Sequence, residues 1–204
     1  MRILAMGTHP DDIEYGCGGT LLKYSKQKHD IFLLILTGGE VGGKLLVRKK
    51  EQELAAKMLK AKKVFFAGFK DTALPPEREI ITYIDEVIGK VKPDEVYVNH
   101  SKDTHQDHRM LANCALASTR YIKRVLFYED YTSYDFEPDI FVDIGNVLSK
   151  KVELLSIHKS QVTKVYPTEL DMLESVRAIA NYRGFQGKIK YAEGFKAFRY
   201  LKDI

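Results

Sequence analysis

The chain has 204 residues, 45% of them hydrophobic and 29% charged, with a formal net charge of +4. That length buries a sizeable core and fits a single domain over 1–204, while the small, scattered surplus of Lys and Arg argues against nucleic-acid binding and leaves only a weak general pull on anionic substrates. The longest aliphatic-aromatic run, 31–36, is too short to span a membrane, and Asp11, Asp12 and Glu14 arrive too early for a signal peptide, so a cytoplasmic protein is expected.

Strand and helix patterns alternate along the chain. Residues 3–6 form an apolar run that reads as a buried strand. His9-Pro10-Asp11-Asp12 follows it, where Pro10 turns the chain and a helix can start at Asp11 or Asp12. The helical pattern itself is clear over 18–28, with Leu21, Leu22 and Tyr24 near its core face. A strand over 31–36 leads into the glycine-rich loop 37–43, then a helix over 46–62 with Leu54, Met58 and Ala61 apolar. Further strands are expected over 64–69, 96–98, 125–128 and 140–144, with helices over 77–91 and 105–117 between them. Beyond Gly145 the pattern predicts a helix to about 158, another over 168–182, and a last extended piece over 195–201. Such alternation implies a mostly parallel sheet with helices on both faces, and ligands bound at the carboxyl ends of the strands.

Two clusters stand at that edge. His9 and Asp12 are three residues apart, as are His105 and His108 in His105-Gln106-Asp107-His108. A turn of helix brings such pairs to one face. Two histidines and one carboxylate from distant strand ends supply three ligands and leave a position open, the pattern of a catalytic zinc. The candidates are the imidazoles of His9 and His108 and one carboxylate of the Asp11-Asp12 pair. If Asp12 binds the metal, Asp11 can act as general base toward water whose pKa the metal lowers. Asp107 would then hold His105 as an imidazolium aimed at a developing oxyanion or leaving group. The remaining candidates read more plainly: Cys17 and Cys114 as buried thiols, His29 as a surface helix end, His100 as an ordinary hydrogen-bonded histidine or a support of the site, the run Arg48-Lys49-Lys50 as a solvated helix face, and the glycine loop as a mobile loop, not a phosphate cradle.

Thr8-His9-Pro10-Asp11-Asp12-Ile13-Glu14 together with His105-Gln106-Asp107-His108-Arg109 resembles the PIG-L / LmbE-like family of metal-dependent N-acetylglucosamine deacetylases, in its bacillithiol-synthesis-like branch. Similar features elsewhere are Thr37-Gly38-Gly39-Glu40, Arg48 with Glu51, Asp71, Asp103, His158-Lys159-Ser160-Gln161 and Ala192-Glu193-Gly194-Phe195, so the resemblance covers nearly the whole chain. It implies a Rossmann-like fold, zinc on His9, Asp12 and His108, and Asp11 as general base. It also implies that His105 stabilises the oxyanion and protonates the amine, with Asp107 orienting it. Arg48 matches a position that contacts the sugar, and Asp103 is set beside it as a candidate substrate-binding residue. Family members are often oligomeric, which makes a homo-oligomer the expected state. The sequence departs from many members at Thr8, Ile13 and Gln106, none of which is a ligand.

The expected activity is removal of an N-acetyl group from an amino sugar or its conjugate, with zinc, or else iron(II) or another divalent ion, as cofactor. One rival is a non-haem iron(II) oxygenase built on the same two-histidine, one-carboxylate set, although such enzymes usually sit on all-β barrels. The other is a non-catalytic sugar- or nucleotide-binding module, which has little use for a base and an acid flanking a metal.

Overall fold

The computed structural model describes residues 1–164 and 169–202. Seven strands form one sheet: β1 (Arg2–Gly7), β2 (Asp30–Thr37), β3 (Lys63–Phe69), β4 (Glu95–Asn99), β5 (Arg124–Tyr128), β6 (Ile140–Asp143) and β7 (Ala192–Tyr200), in the order β3-β2-β1-β4-β5-β7-β6. The first five pair in parallel. β7 runs antiparallel to both β5 and β6. The helices are α1 (Asp12–Lys26), α2 (Leu45–Met58), α3 (Glu77–Val91), α4 (Gln106–Ser118), α5 (Leu148–Ser156), α6 (Lys159–Val162) and α7 (Met172–Gly187).

The strands are apolar without alternation because both faces are covered. Ile3, Ala5, Leu33 and Ile35 pack with Cys17 and Leu21 of α1, Ala55 of α2, and residues of α5 and α7. Leu4, Met6, Leu34 and Val98 point the other way and pack with Ile80 and Ile84 of α3 and Leu111 and Cys114 of α4. The chain lays β2 and β3 on one side of β1, then crosses to lay β4 and β5 on the other. The crevice beyond the carboxyl ends of β1 and β4 is therefore the place where an α/β sheet binds ligands. His9 follows β1 and His105 follows β4, so this topology brings together segments about a hundred residues apart.

Several expectations change. α1 begins at Asp12 and runs through Gly16, Gly18 and Gly19 instead of starting at Gly18. Glycine is needed here for close approach: a Cβ on Gly16 would lie 2.0 Å from the Tyr128 ring. In α2, Leu54 is 44% exposed, and the buried face is Arg48, Glu51, Gln52, Ala55 and Ala56. That helix turns polar groups inward because partners meet them there: Gln52 Nε2 donates to Glu14 Oε1 at 2.7 Å, and Glu51 accepts the Ser160 N–H at 2.8 Å. The helix expected to reach residue 158 ends at Ser156, and α6 follows as a separate short turn. The start expected for α7 at Thr168 lies outside the described residues, and the helix continues to Gly187. β7 begins at Ala192, earlier than expected, where its pairing with β6 starts. Cys17 and Cys114 are buried free thiols. Among the described residues no helix is long and apolar enough to cross a membrane.

Candidate metal centre

The turn after β1 is built around one carboxylate. Asp12 Oδ2 accepts the backbone N–H groups of Thr8 at 2.9 Å and His9 at 3.0 Å, and lies 3.3 Å from Asn99 Nδ2 at the end of β4. These donors fix Asp12 at the first position of α1 and hold its charge. Asp11 precedes the helix with φ at 111°, a left-handed conformation that Asp tolerates better than most residues. Its carboxyl makes no capping bond to the helix, which leaves it to face the crevice. On the other side, His105 caps α4: its Nδ1 accepts the N–H of Asp107 at 3.2 Å. A nitrogen that accepts carries no proton, so Nε2 is the protonated one.

Two imidazole nitrogens and the Asp12 carboxylate converge. His9 Nδ1 lies 3.3 Å from His108 Nε2 and 3.7 Å from Asp12 Oδ1. His108 Nε2 lies 3.4 Å from Asp12 Oδ2. Donors about 2.0–2.2 Å from one tetrahedral ion stand roughly 3.3–3.6 Å apart, close to the separations between the two imidazole nitrogens and from each of them to an oxygen of Asp12. The far nitrogen of each imidazole meets a carboxylate: His9 Nε2 is 3.0 Å from Asp71 Oδ1, and His108 Nδ1 is 3.2 Å from Asp103 Oδ2. That is the outer-shell arrangement that orients metal-binding histidines. The donor set therefore fits a divalent ion. His105 lies beside it, its ring centroid 4.6 Å from that of His9 and 4.8 Å from that of His108. Asp130, two residues past β5, stands within 4.8 Å of the group formed with Asp12 and His108.

The electrostatics favour a cation. Burial lowers the affinity of His9 for a proton, but Asp12 and Asp71 more than reverse this and raise its pKa to about 10. Burial is likewise overcome at His108, where Asp12 and Asp103 raise the pKa to about 9. Asp12 is held far below the ordinary carboxylate range: burial opposes ionisation, and His108 and His9 outweigh it. A cavity that holds two imidazoles charged is one that a dication can occupy in place of two protons. Asp11 shifts upward because burial outweighs the nearby Arg48 guanidinium. His105 shifts downward through burial and the neighbouring His9 and His108.

The supporting residues take positions that spacing alone does not specify. Asp103 is fully buried; its Oδ1 accepts the His105 N–H at 2.8 Å and its Oδ2 stands behind His108, 3.2 Å from Nδ1. Asp107 meets His105 through its backbone N–H, whereas its carboxylate accepts the Thr72 N–H at 2.8 Å and lies 3.8 Å from His9 Nε2. Nδ1 of His105 is engaged as an acceptor, and its lowered pKa disfavours the imidazolium form. Arg48 is not on a solvated face; it lines the same cavity as His9 and Asp11. It is 4% exposed, and its guanidinium donates to Pro10 O at 2.6 Å, Gly39 O at 2.9 Å and Asp11 Oδ1 at 3.2 Å. His100 is buried between the edges of Phe127 and Phe136, and neither ring nitrogen has a hydrogen-bond partner among the described residues. Asn99, Asp130 and Lys164 carry no motif that marks them in the sequence; the first two stand at or just past strand ends, a position that flags them.

The chain is similar to known proteins in sequence and fold. A family profile described as PIG-L, GlcNAc-PI de-N-acetylase, matches residues 4–119. The chain belongs to the PIG-L family. Its match spans both the His9 and the His108 segments. Among PIG-L relatives, a diacetylchitobiose deacetylase of Thermococcus kodakarensis is 29% identical over 228 positions, covering 96% of this chain and 82% of its own. A probable N-acetyl-alpha-D-glucosaminyl L-malate deacetylase 2 of Bacillus anthracis is 28% identical, covering 83% of this chain and 84% of its own. The crystal structure of a conserved protein from Thermus thermophilus shares the fold with a TM-score of 0.88 at 26% identity, over 99% of this chain and 96% of that one. Membership of this family, on an α/β sheet, removes the oxygenase rival.

Proposed function

We propose that the protein is a zinc-dependent hydrolase that removes the acetyl group from an N-acetylated amino sugar or its conjugate. The observation that carries this is the triangle of His9 Nδ1, Asp12 and His108 Nε2 with Asp11 and His105 lining the same cavity. The relatives, deacetylases of N-acetylated sugars by name, support the substrate class. His9, Asp12 and His108 would hold the ion. The chemistry a divalent ion supplies when bound is Lewis acidity toward the amide carbonyl and toward water.

The rest is the work of this chain's own groups. Asp11 Oδ1 is engaged by Arg48, which leaves Oδ2 to take a proton from the attacking water. Burial raises the affinity of this carboxyl for a proton, which suits a base that works near neutral pH. The Nε2–H of His105 would donate a hydrogen bond to the oxyanion as it develops, and the proton that Asp11 takes from water would pass to the nitrogen as the C–N bond breaks. Acetate and a free amine leave. Asp71 and Asp103 keep the two metal-binding imidazoles in one orientation.

His108→Ala removes one of three ligands and is expected to lower bound metal to a small fraction of one ion per chain. Elemental analysis after dialysis reads this directly, and a stoichiometric ion in the variant would refute the assignment. An acetate-release assay over a panel of N-acetyl sugars, with zinc and iron(II) supplied in turn, tests both the activity and the metal.

Arg48 acts through Asp11 and the 39–42 loop in this reading. Its positive charge lowers the pKa of Asp11 against the pull of burial. Removing that charge raises the Asp11 pKa, so the base is protonated over a wider range. The acidic limb of the kcat/KM profile is thus expected to move to higher pH in Arg48→Ala, with kcat down by about tenfold or more. A raised KM with an unmoved limb would instead mark Arg48 as a substrate contact.

A further inference from the structure

We propose that the open edge of β3 is a docking site for an extended acidic segment of a partner protein, which adds there as an eighth strand of the sheet.

β3 stands at the end of the sheet and pairs, among the described residues, only with β2. A strand paired on one side presents backbone N–H and C=O groups on the other, and such edges are ordinarily kept short or broken by charge and proline. The opposite edge follows that rule: β6 has four residues, and the Lys23 ammonium donates to the Asp143 carbonyl. β3 departs from it. The strand has seven residues, and positions 64–69 hold neither a charge nor a proline. Most of its side chains are half-buried, where those of β4 are all buried. One contact partly covers the edge, the Tyr83 hydroxyl donating to Phe66 O at 3.1 Å, and an incoming N–H can replace it.

A groove flanks the edge on each side. The one toward α2, of about 410 Å³, is lined by Lys49, Lys57, Lys62 and Lys63 with Glu53 and Phe66. The one toward α3, of about 320 Å³, is lined by Phe69, Thr82 and Tyr83 with Arg78, Glu79 and Glu86. Val64 and Phe66 pack on the first side of the sheet, Phe65 and Ala67 on the second. The side chains of an added strand alternate between the two grooves in the same way. The first groove is cationic. The fold gathers there lysines that look scattered along the chain: residues 44–70 hold nine Lys and Arg against two Glu, in a protein whose net charge is +4. Lys62 lies 3.5 Å from Asp30, but that pair is exposed and contributes little. The second groove mixes both signs around two aromatic rings. The complement is therefore a strand with carboxylates at every second position and apolar side chains between them. A second copy of this chain fits poorly. Its β3 would set the same lysines against these, and its β6 is too short to cover the edge. Gly68, with φ at 73°, ends the straight run, so the added strand covers 63–67.

The test uses the full chain and three labelled eight-residue peptides: four Glu-Val repeats, the same composition as a block of Glu followed by a block of Val, and four Lys-Val repeats. Fluorescence anisotropy reads affinity, and hydrogen exchange reads the β3 amides. The Glu-Val repeat is expected to bind about tenfold or more tightly than either control and to slow exchange over 63–67. Lys49→Gln/Lys57→Gln is expected to lose about tenfold in affinity, and Lys49→Arg/Lys57→Arg to retain it. Equal affinity for the alternating and block peptides would mark a plain basic surface, open to nucleic acid or lipid headgroups, and overturns the proposal. So does binding without protection of β3, or undiminished affinity in the Gln variant. Protection of β3 that rises with protein concentration alone, with no peptide bound, would assign the edge to a second copy and overturn it as well.

Discussion

Replacing Asp11 by Asn is expected to lower kcat by about 10²–10⁴ while leaving the bound metal in place. The two neighbouring carboxylates are chemically alike, but the fold treats them differently. Asp12 is pinned by two backbone N–H groups and faces His9 and His108, so its loss should release the ion. Asp11 faces Arg48 and the cavity, and its side chain caps nothing. Asn keeps the shape and tolerates the left-handed backbone at this position, which makes the substitution a clean removal of basicity. It cannot accept the proton of water at neutral pH. Metal content beside turnover in Asp11→Asn and Asp12→Asn decides the matter. Loss of metal in the first and retention in the second would reverse the roles, and near-normal turnover in Asp11→Asn would end the general-base mechanism.

The second large effect is on stability. Lys151 of α5 is 2% exposed and donates to Glu193 Oε1 of β7 at 2.6 Å. Glu193 also accepts the N–H groups of Gly19 and Thr20, both at 2.7 Å, and so ties α1 to the antiparallel edge of the sheet. Lys151→Met would leave a buried carboxylate without its counter-charge. Breaking such a pair from one side costs about 3–5 kcal/mol. Lys151→Met/Glu193→Gln removes the orphan charge and is expected to be less unstable than the single variant. Urea unfolding of metal-loaded protein reads both. A cost under about 1 kcal/mol for Lys151→Met would mean that water reaches the pair and that α1 is anchored in some other way.

Much of the site was legible because its chemistry is local. His9 through Asp12 and His105 through His108 each follow an apolar run, and strand ends at a parallel sheet's carboxyl edge are where ligands gather. The alternation of strands and helices was enough for the sheet and its two covered faces. What the sequence hid was the direction each side chain takes. Arg48 reads as part of a basic run, and its burial depends on carbonyls of Pro10 and Gly39 that only the tertiary fold delivers. The period of α2 assigns Leu54 to the core, yet its inner face carries Glu51 and Gln52, which bond Ser160 of α6 and Glu14 of α1. Spacing also could not say whether Asp107 reaches His105 by its carboxylate or its backbone, nor that Asp103 stands behind His108. The glycines of α1 look like helix breakers until the ring of Tyr128 is seen in the space a side chain at Gly16 would take.

The left-handed backbone of Asp11 sets the proposed base against the chain that carries it. An L-residue in that region costs about 1 kcal/mol or more, and glycine would relieve it. Glycine, however, brings no carboxylate. Selection for a more robust molecule and selection for turnover therefore pull this one position in opposite directions, and a search for thermostable variants guided by folding alone would drift toward an inert protein there. The strain is small beside the whole stability of the fold, and it sits at the residue on which the proposed chemistry turns.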